Sequence, residues 1–344
     1  MQRHMPSFVL RSLAAVATFA LVTSTLAQHP YRVVDHWKVG GTGGWDYLLA
    51  DPSAHLLYLT HNARVEVIDT LTGKPVGAIT GLTSTHGVAL DPEGKFGYIS
   101  DGGANAVVVF DRKTFATLAS IPAGTNPDGI TYEPVTKTVW AFNGRSKNAT
   151  VIDTASRTVV ATIALPGKPE FPQADGKGHV FDNIEDKNSI VRLDAASKTL
   201  TDIFPVAGCD SPSGLAMDRE HMRLFAVCDG KKMGVLDANT GKELALVDIG
   251  DGPDAAGYDF GHQLAFSSNG EGTLTVVDAK GGYKPIETLT TQKGARTMAY
   301  DSATDRIYLV TAEYGAVPKP SAANPRPRPA VVPNTFTILI VARK

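Results

Sequence analysis

Four carboxylates, one histidine and one arginine recur along this chain at intervals of about 42 residues. They are Asp46, His86, Asp128, Glu170, Asp254 and Arg296, with Ser213 in the remaining interval. Carboxylates held close together raise one another's pKa or demand a cation. Asp46, Asp128, Glu170 and Asp254 are hard oxygen donors suited to Ca²⁺ or Mg²⁺. Adding the His86 imidazole shifts the preference towards Zn²⁺ or Mn²⁺. Arg296 is a fork for a ligand carboxylate or phosphate, and Trp45, beside Asp46, is a flat apolar wall. With a metal acting as Lewis acid, His86 or Glu170 would be the group that moves a proton, which is hydrolase or lyase chemistry.

Residues so far apart in sequence need a repeating scaffold to meet. An apolar-apolar-Asp signature recurs at Val67-Ile68-Asp69, Val109-Phe110-Asp111, Val151-Ile152-Asp153, Leu193-Asp194, Val235-Leu236-Asp237 and Val276-Val277-Asp278. A second acidic landmark leads each unit: Asp51, Asp91, Glu133, Asp175, Asp218, Asp259 and Asp301. Each unit reads as an apolar strand ending at the landmark, an aromatic-bearing strand, the strand into the Asp signature, and an outer strand. Helical periodicity is missing over any ten residues, so solenoid repeats do not fit. The expectation is an all-β, seven-bladed β-propeller occupying residues 28–344 as one domain. Its last blade would be completed by the strand around residues 31–39, which removes the open sheet edges. The run Gly40-Gly41-Thr42-Gly43-Gly44 precedes no helix and is read as turn chemistry, not a phosphate cradle.

The period, the Tyr/Phe-bearing second strand and the apolar-apolar-Asp third strand resemble the YncE-like, YVTN-repeat β-propellers over nearly the whole chain. Gly43-Gly44-Trp45-Asp46-Tyr47, Asn143-Gly144-Arg145-Ser146, Ser268-Asn269-Gly270-Glu271-Gly272 and Gly294-Ala295-Arg296-Thr297 resemble an exported branch of that family. In propellers of this kind the first strand is innermost and starts at the ligand-binding face. The resemblance therefore implies that Asp46, His86, Asp128, Glu170, Ser213, Asp254 and Arg296, each five residues before a landmark, ring the channel mouth. A second ring, ten residues after each landmark, would be His61, Asp101, Asn143, Glu185, Cys228, Asn269 and Thr311. The family pattern has a turn-capping Asn there; His61, Asp101 and Glu185 depart from it, and such departures tend to fall at functional sites. The plainer alternative is that the acids bond exposed backbone N–H groups and that Arg296 is a counter-ion to Asp254 and Asp46.

Composition and punctuation narrow the rest. With 33 Gly, 21 Pro and 20% charged residues, the chain is no coiled coil, disordered tail or multi-span membrane protein. A net charge of −2 argues against nucleic acid as partner. Residues 1–27 read as a secretory signal peptide, with Arg3, His4 and Arg11 preceding the apolar stretch from Leu13 to Val22 and Thr25-Leu26-Ala27 as the cleavage site. That implies a periplasmic or secreted protein with no membrane span after cleavage, expected to be a monomer. Export favours a disulfide between Cys209 and Cys228, with a soft metal site or free thiols as alternatives. A Pro-rich insertion, residues 312–334, interrupts the last unit on the mouth face and would act as a lid carrying Tyr314, Arg326 or Arg328, a clamp over the closure, or a partner-binding strap. The functions left open are an exported propeller binding a small ligand with or without a divalent metal (Ca, Mg, Mn or Zn), a metal-assisted, lactonase-like hydrolase or lyase, and a protein-interaction scaffold.

Overall fold

The computed structural model describes residues 1–2, 31–319, 321 and 329–343. The leader read over residues 1–27 lies, from residue 3 on, outside the described residues, as do Arg326 and Arg328. Seven sheets of four antiparallel strands account for the fold, with one 3-10 turn at Glu185–Lys187. In six blades the four strands follow one another in sequence. The seventh combines Thr297–Asp301, Arg306–Thr311 and Thr337–Arg343 with Tyr31–Lys38 as its outer strand. Tyr31 pairs with Arg343 and Lys38 with Thr337, so the expected closure by the N-terminal strand is what forms.

Burial explains why the middle strands read as nearly continuous apolar runs. Each is covered on both faces by neighbouring blades, whereas an outer strand such as Thr158–Ala164 is largely exposed, burying only Ile163. The second strand of each blade contributes a fully buried aromatic, Tyr58, Tyr98, Trp140, Phe181, Phe225, Phe266 and Tyr308, and blade three adds Phe142. These wedges fill clusters that each span two adjacent blades. The cluster joining Leu57 and Leu59 to Tyr308 and Ile338 closes the circle between first and last.

The acidic landmarks are turn caps. Asp91 accepts the N–H groups of Lys95 and Phe96, and Glu133 those of Val135 and Thr136, at 2.7–2.9 Å. Several also tie blades together. Arg112 reaches both Asp51 and Asp91, and the Tyr258 hydroxyl donates to Asp218 at 2.6 Å. The signature aspartates cap the next turn, Asp69 taking the N–H groups of Leu71 and Thr72 at 2.9 and 2.7 Å. Cys209 and Cys228 form a disulfide with Cα atoms 5.3 Å apart, fastening the connection into blade five to its second strand.

Candidate functional site

The mouth residues sit where the innermost strands break register. Pairing shifts between Thr85 and Val88 around His86, between Pro127 and Ile130 around Asp128, between Pro169 and Pro172 around Glu170, and between Pro253 and Ala255 around Asp254. A bulge frees a residue from the ladder and re-aims its side chain. Pro127, Pro169 and Pro253, each just before an acidic ring residue, lack the N–H that regular pairing would use. Asp46 and Arg296 precede their innermost strands, Leu48–Asp51 and Thr297–Asp301. Neighbouring blades are then pinned at this level by backbone bonds, Tyr47 N–H to the His86 carbonyl at 3.3 Å and Ala255 N–H to the Arg296 carbonyl at 3.1 Å. Gly129 permits a close approach of blades three and four, since a Cβ there would lie 2.1 Å from the Glu170 carbonyl oxygen.

This scaffold brings one charged group together. His86 Nδ1 lies 2.6 Å from Asp46 Oδ2 and 3.5 Å from Asp128 Oδ1. Burial pulls the imidazole down, but the Asp46 hydrogen bond and the charges of Asp128, Asp46 and Glu170 outweigh it and lift His86 to about 9. Burial also holds Asp128 well above the usual carboxylate range; His86 opposes this and Asp46 adds to it. Glu170 is raised by burial and then by Asp128, against the pull of Lys168. Lys168 Nζ donates to Glu170 Oε1 at 2.6 Å and also reaches Glu185. Across the mouth, Arg296 Nη1 stands 3.3 Å from Asp254 Oδ2, and burial still leaves Asp254 at about 6. Five carboxylates thus face three cationic side chains, and burial is the main cause that raises Asp128, Glu170 and Asp254.

Below the ring, Tyr47 and Phe171 meet edge to face at 4.9 Å, above a cavity of about 380 Å³ that runs towards the landmark turns. Asp182, fully buried on the second strand of blade four, is raised well above its ordinary value by burial and then by Glu170. Beside the ring, Trp45 and Tyr314 border a cavity of about 1060 Å³ that also reaches Arg296.

Of the outer set, Glu185 joins the group through Lys168. The others are not brought to it. His61 is buried, stacked on Phe336 at 4.3 Å with Glu66 3.5 Å from Nδ1. Asp101 accepts the N–H groups of Thr83 and Ser84, both at 2.9 Å. Asn143 donates to Asn148 Oδ1 at 2.8 Å, and Asn269 to Thr273 Oγ1 at 3.0 Å, as turn-capping residues do. Sequence reasoning passed over Lys168, Tyr47, Phe171 and Asp182. For the bulges the signal was present: a proline immediately before three of the ring acids.

The architecture defines a seven-bladed β-propeller with a charged channel mouth. The chain is similar in structure to one described as "Kuenenia stuttgartiensis Hydrazine Synthase", with TM-score 0.69 and 16% identity over 78% of this chain and 92% of that one. It is also similar to U3-55K, with TM-score 0.73 and 10% identity over 90% of this chain and 98% of that one. At such identities the likeness concerns the fold alone. No family model matches the chain, and no curated protein matches it in sequence.

Proposed function

We propose that this chain is an exported binding propeller that accepts a small cationic ligand at the mouth formed by Asp46, His86, Asp128, Glu170, Asp254 and Arg296. One observation carries the reading: Asp46 and Asp128 both face the one His86, and Glu170 and Glu185 share the one Lys168 ammonium, so carboxylates outnumber the cationic side chains paired with them. Unbalanced buried carboxylates either keep protons or take a cation. A divalent ion fits the donors, because Asp46, His86 and Asp128 each offer an atom within 4.8 Å of the others. This mixed oxygen and nitrogen set favours Mn²⁺ or Zn²⁺ over Ca²⁺ or Mg²⁺. Export is supported by the leader-like residues 1–27 and by a disulfide that suits an oxidising compartment. Among the described residues no helix is long and apolar enough to cross a membrane. The repeat grammar supports placing the chain with the YncE-like, YVTN-repeat propellers.

A hydrolase or lyase reading is favoured by one specific feature. Asp46 orients His86 and keeps it an imidazolium near neutral pH, which makes His86 a proton donor beside a protonated Glu170. Thermal-shift measurements on untagged protein at pH 8 test the binding reading with Ca²⁺, Mg²⁺, Mn²⁺, Zn²⁺ and ethylamine. At least one cation should raise the melting temperature, and Asp128→Asn and Glu170→Gln should abolish the rise. A flat response to all five would sink it.

A further inference from the structure

The cavity of about 380 Å³ below Tyr47 and Phe171 takes no side chain from the charged ring. Four successive innermost strands wall it: Leu48–Asp51, Thr85–Leu90, Pro127–Glu133 and Pro169–Ala174. Val88, Ile130, Phe171 and Pro172 make much of that wall apolar. Arg219 reaches the same cavity from the turn after the fifth innermost strand, Asp210–Asp218. In the other six units the residue after the acidic landmark is Pro, Gly, Phe or Ser, so a guanidinium here is peculiar to one blade. Arg219 is fixed through Nε, which donates to the Ala174 carbonyl at 2.8 Å. Among the described residues nothing bonds its two terminal nitrogens, and no carboxylate forms an ion pair with it. Desolvation lowers the Arg219 pKa, and the Asp175 charge offsets this only in part. Arg112 also lines the cavity but is taken up by Asp51 and Asp91. Those two acids are each 5% exposed. Their oxygens also accept the N–H groups of Ala54, Lys95 and Phe96 and the Ser53 hydroxyl.

A guanidinium held at one nitrogen, with its fork free over an apolar pocket, suits an anion that carries a hydrocarbon body. We infer that this cavity is a second binding site, which takes a small monocarboxylate with a compact apolar body. The carboxylate meets the terminal nitrogens of Arg219, and the body lies against Pro172 and Ile130, on the wall that continues from Ala174. An inorganic anion would leave that wall uncovered, and a neutral ring would leave Arg219 unpaired. The site is opposite in sign to the mouth and does not depend on what the mouth binds.

The experiment is isothermal titration of the untagged chain at pH 7 with benzoate, benzamide and acetate. Benzoate should bind about tenfold or more tightly than acetate, since burying a phenyl ring is worth at least that factor. It should also exceed benzamide, which has the same shape without the charge, by about tenfold. Arg219→Gln should bring benzoate down to the level of benzamide, and Arg219→Lys, which keeps the charge, should retain a preference for benzoate. A second measurement needs no variant: benzoate should slow the modification of Arg219 by phenylglyoxal, read by mass spectrometry, and leave the exposed Arg145 unprotected. Equal affinity for benzoate and acetate would overturn the apolar body. Equal affinity for benzoate and benzamide, or no protection of Arg219, would overturn the anion site. Benzoate binding that survives Arg219→Gln but disappears in Arg296→Gln would place the anion at the mouth and overturn the proposal.

Discussion

His86 lies between two carboxylates, and its state decides what the mouth presents. Its pKa is lifted from 6.5 to about 9, so the stability it contributes is complete below pH 6.5 and disappears as pH rises through 9. Asp254 is raised from 3.8 to about 6; the folded state therefore binds more protons than the unfolded chain in that window, and stability again falls as pH rises through it. Asp128 and Glu170 act in the same direction. The melting temperature should accordingly decline from pH 5 to pH 9 when no cation is added. In Asp128→Asn, which mimics the protonated acid, stability at pH 8 should equal or exceed that of the parent; a melting temperature several degrees lower would contradict this account. Lys168→Met should destabilise the protein at pH 8, because Glu170 and Glu185 would face each other without their shared cation.

Strands and turns place these residues through bulges and ties. Gly129→Ala should cost on the order of 2–4 kcal/mol in denaturant unfolding, because its Cβ would press against the Glu170 carbonyl and backbone cannot move aside cheaply. Arg112→Met leaves Asp51 and Asp91 buried without their cation, at a cost of about 3–5 kcal/mol. At this scale much was legible in the sequence. The period of the Asp signature and the aromatic in each second strand reflect burial between blades, which acts locally on composition. The shared register position of Asp46, Asp128, Glu170 and Asp254, each five residues before a landmark in units one, three, four and six, was readable for the same reason. The outer ring was not. Whether Asp101 faces the mouth or bonds the N–H groups of Thr83 and Ser84 depends on a connection eighteen residues away in sequence. Nor could spacing reveal that Lys168 would bridge Glu170 and Glu185, because that contact depends on how two strands and a 3-10 turn meet.

The whole molecule is a closed circle held by seven interblade clusters, one strand from the N-terminal side and one disulfide. Removing residues 31–38 exposes the edge of Thr337–Arg343 and should produce aggregation and loss of a single cooperative unfolding transition. Replacing Cys209 and Cys228 together by Ala should lower stability by about 3 kcal/mol while keeping the fold, since the crosslink closes a short loop within one blade. Closure also brings Asp46, His86 and Asp128, from three different blades, within 4.8 Å of one another, which is what the proposed cation site requires. The most direct test of that claim is calorimetric titration of the cation that binds most tightly, at pH 6, 7 and 8, in buffers of differing ionisation enthalpy. The affinity should rise with pH and binding should release protons, both effects disappearing in Asp128→Asn. A cation that binds with no proton release and no pH dependence, or equally well to Asp128→Asn, would show that the mouth is not its site.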